Sequence, residues 1–231
     1  MISKLLQLES ELNPTSIMVD FEMAAINAVE NTFLTCAYGC FFHLKQSIYR
    51  RIQANGLATA YQQDRDLALK PKMLTCLAFV SEIDVIDCFN ILMHEYPQSG
   101  KTVAKYFEDN YIGKQLPNGS RRTPPFPIRE WNMHQRLMDR ILRTNNSVEG
   151  WHNAFSHGIG HPHPDLIKLL RFLQKEQSLQ EAIYAKREGG NLKQRSKSSV
   201  EREERMYNIV IKYDNRETIE SLRGITYNFE F

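Results

Sequence analysis

Ser16-Ile17-Met18-Val19-Asp20-Phe21-Glu22-Met23-Ala24-Ala25-Ile26-Asn27-Ala28-Val29-Glu30 is the stretch on which the fold turns. Ser16 to Val19 is a short apolar run after Pro14, with the length of a strand, and a carboxylate follows it at once. Phe21 to Glu30 then reads as a helix, because Phe21, Ala24, Ala25 and Ala28 share one face at a period of 3.6. Outward from it, Phe33 to Tyr38 (FLTCAY) is the next strand candidate, and a second helix is expected from about Phe42 to Asn55, stopping at Gly56. Strand–helix–strand–helix alternation predicts an α/β layer with a parallel pair.

Composition narrows the classes. Lys and Arg number 29 against 27 Asp and Glu, so the formal charge is only +2 and affinity cannot come from bulk charge, though a local basic patch remains open. Hydrophobic residues at 42% and charged residues at 24% exclude collagen-like or wholly disordered chains. No apolar run approaches the roughly 20 residues of a spanning helix, so no membrane partner is expected. The opening MISKLLQLESELNP turns acidic too early for a signal peptide, and a soluble intracellular protein is the expectation. Cys36, Cys40, Cys76 and Cys88 are irregularly spaced, so neither a disulfide framework nor a four-cysteine zinc site is expected.

Pro71 to Tyr96 is apolar at helical spacing, with Ser81 placed as an N-cap and Asp84 three residues on. Lys101 to Tyr111 reads as another amphipathic helix. PNGSRRTPPFP at 117–127 is an exposed loop by composition. Arg143 to His152 opens a helix capped by Asn145 or Asn146, and Asp165 to Lys186 is a long helix with Leu166, Leu169, Leu170 and Leu173 on its core side. Residues 186–199 are rich in Gly, Ser and Lys and read as a basic linker, and Arg205 to Phe231 as a helix or helix pair.

Asp20 has two readings. A carboxylate just past a strand's carboxyl end sits where ligands and metals bind in α/β sheets, but it can equally cap the helix that follows. Glu149 also has two: it lies near a helix start beside the donor-rich turn Arg143-Thr144-Asn145-Asn146, which suits a phosphate, and with Asn146 it nearly forms a capping box. Cys40 and His43 have half of a zinc site's spacing and no further ligand pair, so zinc is not expected. His152, His157, His161 and His163 cluster, but His-Pro-His-Pro forces an extended turn whose rings need not converge, and it reads as the entry to the following helix and not as a metal site. There is no Gly-rich nucleotide loop and no nucleophile elbow.

Taken together and in order, Ile17-Met18-Val19-Asp20-Phe21-Glu22-Met23-Ala24-Ala25, Gly39-Cys40-Phe41-Phe42-His43-Leu44, Leu77-Ala78-Phe79-Val80, Tyr106-Phe107-Glu108, Pro125-Phe126-Pro127 with Trp131-Asn132, Arg143 to His152, His163-Pro164 and Leu222-Arg223-Gly224-Ile225-Thr226-Tyr227-Asn228 resemble the transposase domain of Mutator-like elements. The resemblance runs from about Pro14 onward. It implies a fold that is α/β, mostly α by content: a partial ribonuclease H-like core interrupted by a large helical insertion. In residue numbers it implies a partial core at 1–60, the insertion and Pro-rich loop at 61–140, returning helices of the catalytic core at 141–185, and a basic linker with a C-terminal helix at 186–231.

The resemblance further implies that three carboxylates hold two Mg²⁺ (or Mn²⁺) ions for DNA cleavage and strand transfer. Asp20 matches the second of them and Glu149 the last, which favours metal ligation over capping at both. Cys40 and His43 match the family's Cys-x2-His signature, with a role in shaping or supporting the site. Arg143, Asn145 and Asn146 would position the scissile phosphate, while Arg121, Arg122, Lys193, Arg195 and Lys197 would touch the DNA backbone. The family's first aspartate has no counterpart in residues 1–19, where Glu9 and Glu11 are the only acids. The expectation is therefore a fragment without its first strands, inactive alone, nuclear by its DNA partner or cytoplasmic as a non-functional remnant, with homo-oligomerisation open. The alternative is a non-catalytic DNA- or protein-binding module derived from a transposase.

Overall fold

A computed structural model describes residues 2–33, 35, 37–141, 146–160, 164–190, 197–212 and 217–228, with 146–149, 152, 198 and 199 described as backbone only. Most of these residues are helical, and the described strands form one small parallel sheet. The chain divides into two compact units, residues 1–144 with 202–231, and residues 145–201.

The first unit opens with α1 (Ile2–Leu8), β1 (Ile17–Val19), α2 (Met23–Glu30), β2 (Ala37–Gly39) and α3 (Phe41–Ala54). The two strands pair in parallel, Ile17 with Ala37, Met18 with Tyr38 and Val19 with Gly39. Parallel strands need a crossover, and α2 supplies it, burying Ile26 and Val29 against Ala37 with Ile17 and Val19 alongside. Of FLTCAY, Ala37 and Tyr38 lie in β2, while Leu34 and Cys36 fall outside the described residues. Gly39 is what the pairing requires there: a Cβ on it would stand 2.4 Å from the Phe21 ring. Gly56, at φ +68°, ends the turn after α3 as expected.

The helical part follows with α4 (Ala58–Gln63), α5 (Arg65–Cys76), α6 (Val85–His94), α7 (Lys101–Phe107), α8 (Ile128–Trp131) and α9 (His134–Met138). Asp64 caps α5 by accepting from the Asp66 and Leu67 N–H groups at 2.9 and 3.1 Å. The apolar stretch 71–96 is not one helix. It breaks into 3₁₀ turns at Leu77–Phe79 and Glu82–Asp84, and Ser81 makes no side-chain capping bond. One core joins Phe41, Leu44, Ile48 and Ile52 of α3 to Met73, Leu74, Phe79, Phe89 and Phe107 of the helical part. Trp131 is buried in it and donates its indole N–H to the Tyr111 carbonyl at 3.0 Å. Phe126 of the Pro-rich loop and Tyr111 both pack edge-on against Phe21, at 5.2 and 5.6 Å between ring centres. Cys40, Cys76 and Cys88 are buried thiols.

The second unit is built on α10 (Asn146–Ile159) and α11 (Leu166–Glu188), the latter capped by Asp165, which accepts from the Lys168 N–H at 2.8 Å. Phe155 meets Phe172 edge-on at 5.0 Å, Gly158 leaves room for the same ring, and Trp151 donates to Glu176 at 2.6 Å. Leu166, Leu170 and Leu173 are 69%, 51% and 42% exposed, so the leucine side of α11 does not face a core as its spacing predicts. Its contact with α10 runs through Phe172 and Glu176 instead. The chain continues through α12 (Lys197–Val210) and ends in α13 (Thr218–Thr226), which packs on α5 and α6 and buries Leu222 and Ile225 in the first unit's core.

Candidate active site

Parallel pairing places the candidate residues. Because Val19 pairs with Gly39, the next residues of both strands, Asp20 and Cys40, emerge together at the carboxyl end of the sheet. The Cys40 N–H donates to the Val19 carbonyl at 2.8 Å, extending the ladder by one bond. Cys40 then stands at the N-cap of α3 in extended conformation, its thiol wholly buried. His43, three residues on, lies in the first turn of α3 on the same side. Its Nδ1 is 3.0 Å from Oδ1 of Asp20, an ion-pair distance once the imidazole carries a proton.

Asp20 does not cap α2. The N-cap is Glu22, whose own side chain makes no capping bond. Phe21 turns inward over Gly39, Tyr111 and Phe126, and the neighbouring Asp20 side chain is turned out, 55% exposed against 22% for His43. An accessible carboxylate on a backbone pinned at both sides, with an imidazole behind it, can bind a cation or hold a proton donor in place. Carboxylate oxygen is the right donor for Mg²⁺ or Mn²⁺. Among the described residues, however, no group of three His, Cys, Asp or Glu is placed to hold a metal ion. Asp20 and His43 supply two donor groups, so a metal here needs further ligands from elsewhere.

Glu149 lies on α10 in the second unit, and its side chain is outside the described residues, as is that of Asn146. Arg143, Asn145, Lys193 and Arg195 are also outside them. Among the expected backbone contacts, Arg121 is engaged inside the protein. Its guanidinium donates to Glu108 Oε1 at 2.8 Å, to the Gly113 carbonyl at 2.7 Å and to Asn90 at 2.9 Å, and it lies over the Phe89 ring. These bonds close the loop after a π-helical turn at Glu108–Ile112, where Gly113 has φ +92° and a Cβ would strike the Arg122 carbonyl. Arg122 is exposed, and Lys197 is exposed with Glu201 4.0 Å away.

No family model, curated protein or solved structure matches the chain. The geometry of the sheet end and the ordered motifs are therefore what bear on function.

One titratable group escaped the sequence reading. Glu130, in α8, is 4% exposed and its Oε2 has no hydrogen-bond partner among the described residues. Burial, with Glu30 nearby, pushes its carboxyl up to about 7 against the opposing pull of Arg129. The signal lay in its surroundings, since Pro127-Ile128-Arg129-Glu130-Trp131 sets an acid beside the most deeply buried indole. Among the described residues no helix is long and apolar enough to cross a membrane.

Proposed function

We propose that the chain derives from the C-terminal part of the catalytic domain of a Mutator-like DNA transposase, with β1, α2, β2 and α3 a portion of a ribonuclease H-like core. The observation that carries this reading is Asp20 at the carboxyl end of β1, 3.0 Å from the histidine of a Cys-x2-His turn at the carboxyl end of the neighbouring parallel strand. The motif order supports it independently. Asp20 and Glu149 are two of the three metal-binding carboxylates, and Cys40 and His43 fix the Asp20 turn from behind. Divalent ions on such carboxylates supply charge stabilisation for phosphodiester cleavage and joining.

In this reading the chain binds DNA and is inactive by itself. A nuclear location follows from that partner. The test is cutting of the chain by Fe²⁺ and ascorbate, which cleaves polypeptide locally around a metal site. Cuts near residue 20 that Mg²⁺ or Mn²⁺ suppresses, and that are lost in Asp20→Asn, are expected. No cuts there, or cuts that survive Asp20→Asn, refute the reading. Metal-dependent nicking of labelled DNA by the chain alone, lost in Asp20→Asn and Glu149→Gln, would refute only its inactivity.

A further inference from the structure

The second unit carries the chain's whole charge excess, with eight Lys and Arg against six Asp and Glu between residues 145 and 201. On α11 that charge is ordered. Lys168, Arg171, Lys175 and Lys186 fall within one narrow face of the helix, with Ser178, Leu179 and Ala182 between Lys175 and Lys186. The line runs over 18 residues, about 27 Å at the helical rise. All four cations are exposed, and none pairs with an acid among the described residues. The helix's acids are turned elsewhere: Glu176 accepts from Trp151 and Gln180, and Glu181 accepts from Gln177.

Like charges three and four residues apart repel and cost an isolated helix stability. A helix that gathers them on one face while Glu176 and Glu181 serve neutral partners holds an uncompensated positive stripe. We infer that this stripe is a docking surface for the phosphate backbone of nucleic acid. DNA offers about one negative charge per 1.7 Å of its axis, so a straight line of cations finds phosphates all along its length. A lipid surface fits less well. The leucine face of α11 is broken at Gln177 and Gln180 before Tyr184 resumes it, whereas Lys168, Arg171 and Lys175 follow one another without a break. The stripe lies outside the residues assigned above to metal or scissile phosphate, and it serves any backbone-binding role, transposase or not.

The experiment is fluorescence anisotropy of the full chain with a labelled DNA duplex over a series of salt concentrations. Each phosphate contact contributes about −0.9 to the slope of log affinity against log salt. Lys168→Gln, Arg171→Gln and Lys175→Gln together are expected to flatten the slope by about 2.7, so that a fourfold rise in salt weakens the parent about 40-fold more than the variant. Arg171→Gln alone should remove about a third of that, and it covers the case in which the triple variant misfolds. Lys101→Gln with Lys105→Gln, exposed on α7, should leave the slope unchanged. An unchanged slope in Arg171→Gln and the folded triple variant overturns the inference. So does the absence of DNA binding, including binding to phosphatidylserine vesicles in its place. Because the Fe²⁺ cutting depends on Asp20, which is not on α11, either proposal can fail while the other stands.

Discussion

Glu130 makes the stability of the first unit depend on pH in an unusual direction. Its carboxyl rises from an ordinary 4.5 to about 7 because burial disfavours the charged form, with Glu30 adding to the rise and Arg129 opposing it. A carboxyl raised on folding holds its proton more tightly in the native state, so its contribution is fully present below about 4.5 and is lost as pH climbs through about 7. At about 1.4 kcal/mol per pH unit the loss comes to roughly 3 kcal/mol, an upper figure because some water reaches the site once it ionises. At a urea sensitivity of about 2 kcal/mol per molar, the unfolding midpoint drops by about 1 M or more between pH 5 and 8. Glu130→Gln keeps the shape and removes the ionisation, so this drop should be absent from the variant, whatever the amide itself costs. Urea titrations at several pH values, followed by fluorescence of the neighbouring buried Trp131, measure it. The same pH dependence in parent and variant refutes the burial argument.

Two further outcomes follow from the packing around the sheet end and the Pro-rich loop. Gly39→Ala places a methyl 2.4 Å from the Phe21 ring, which itself is wedged against Tyr111 and Phe126, and should cost about 1–3 kcal/mol by thermal unfolding. Arg121→Ala strands the buried side of Glu108 and opens the loop at Gly113, so it should lower stability by about 1–3 kcal/mol, while Arg122→Ala should stay within about 0.5 kcal/mol of the parent. Equal effects of the two arginine changes would contradict the clamp geometry.

Local pattern settled the order of the first elements. Alternation of an apolar run, a helical face and a second apolar run is enough for a parallel pair, since two parallel strands must be bridged by a crossover. The carboxylate after Val19 and the Cys-x2-His spacing were visible as candidates in the same way, through residue type and position alone. Their meeting was not. The 3.0 Å approach of His43 to Asp20 depends on the register Val19–Gly39, and that register depends on a ring, Phe21, lying where only glycine leaves space. Two side-chain roles departed from what composition suggests. Arg121 sits in a loop that reads as solvent-exposed, yet long-range partners at Asn90, Glu108 and Gly113 take up its donors. The leucines of α11 carry the spacing of a core face, but spacing shows only that a face is apolar and not what packs on it. Sequence by itself determined the element types, the candidate carboxylate and the net charge, because these follow from residue chemistry and period. Tertiary structure alone decided which charges are exposed, paired or buried, because desolvation and ion pairing depend on neighbours that are distant along the chain.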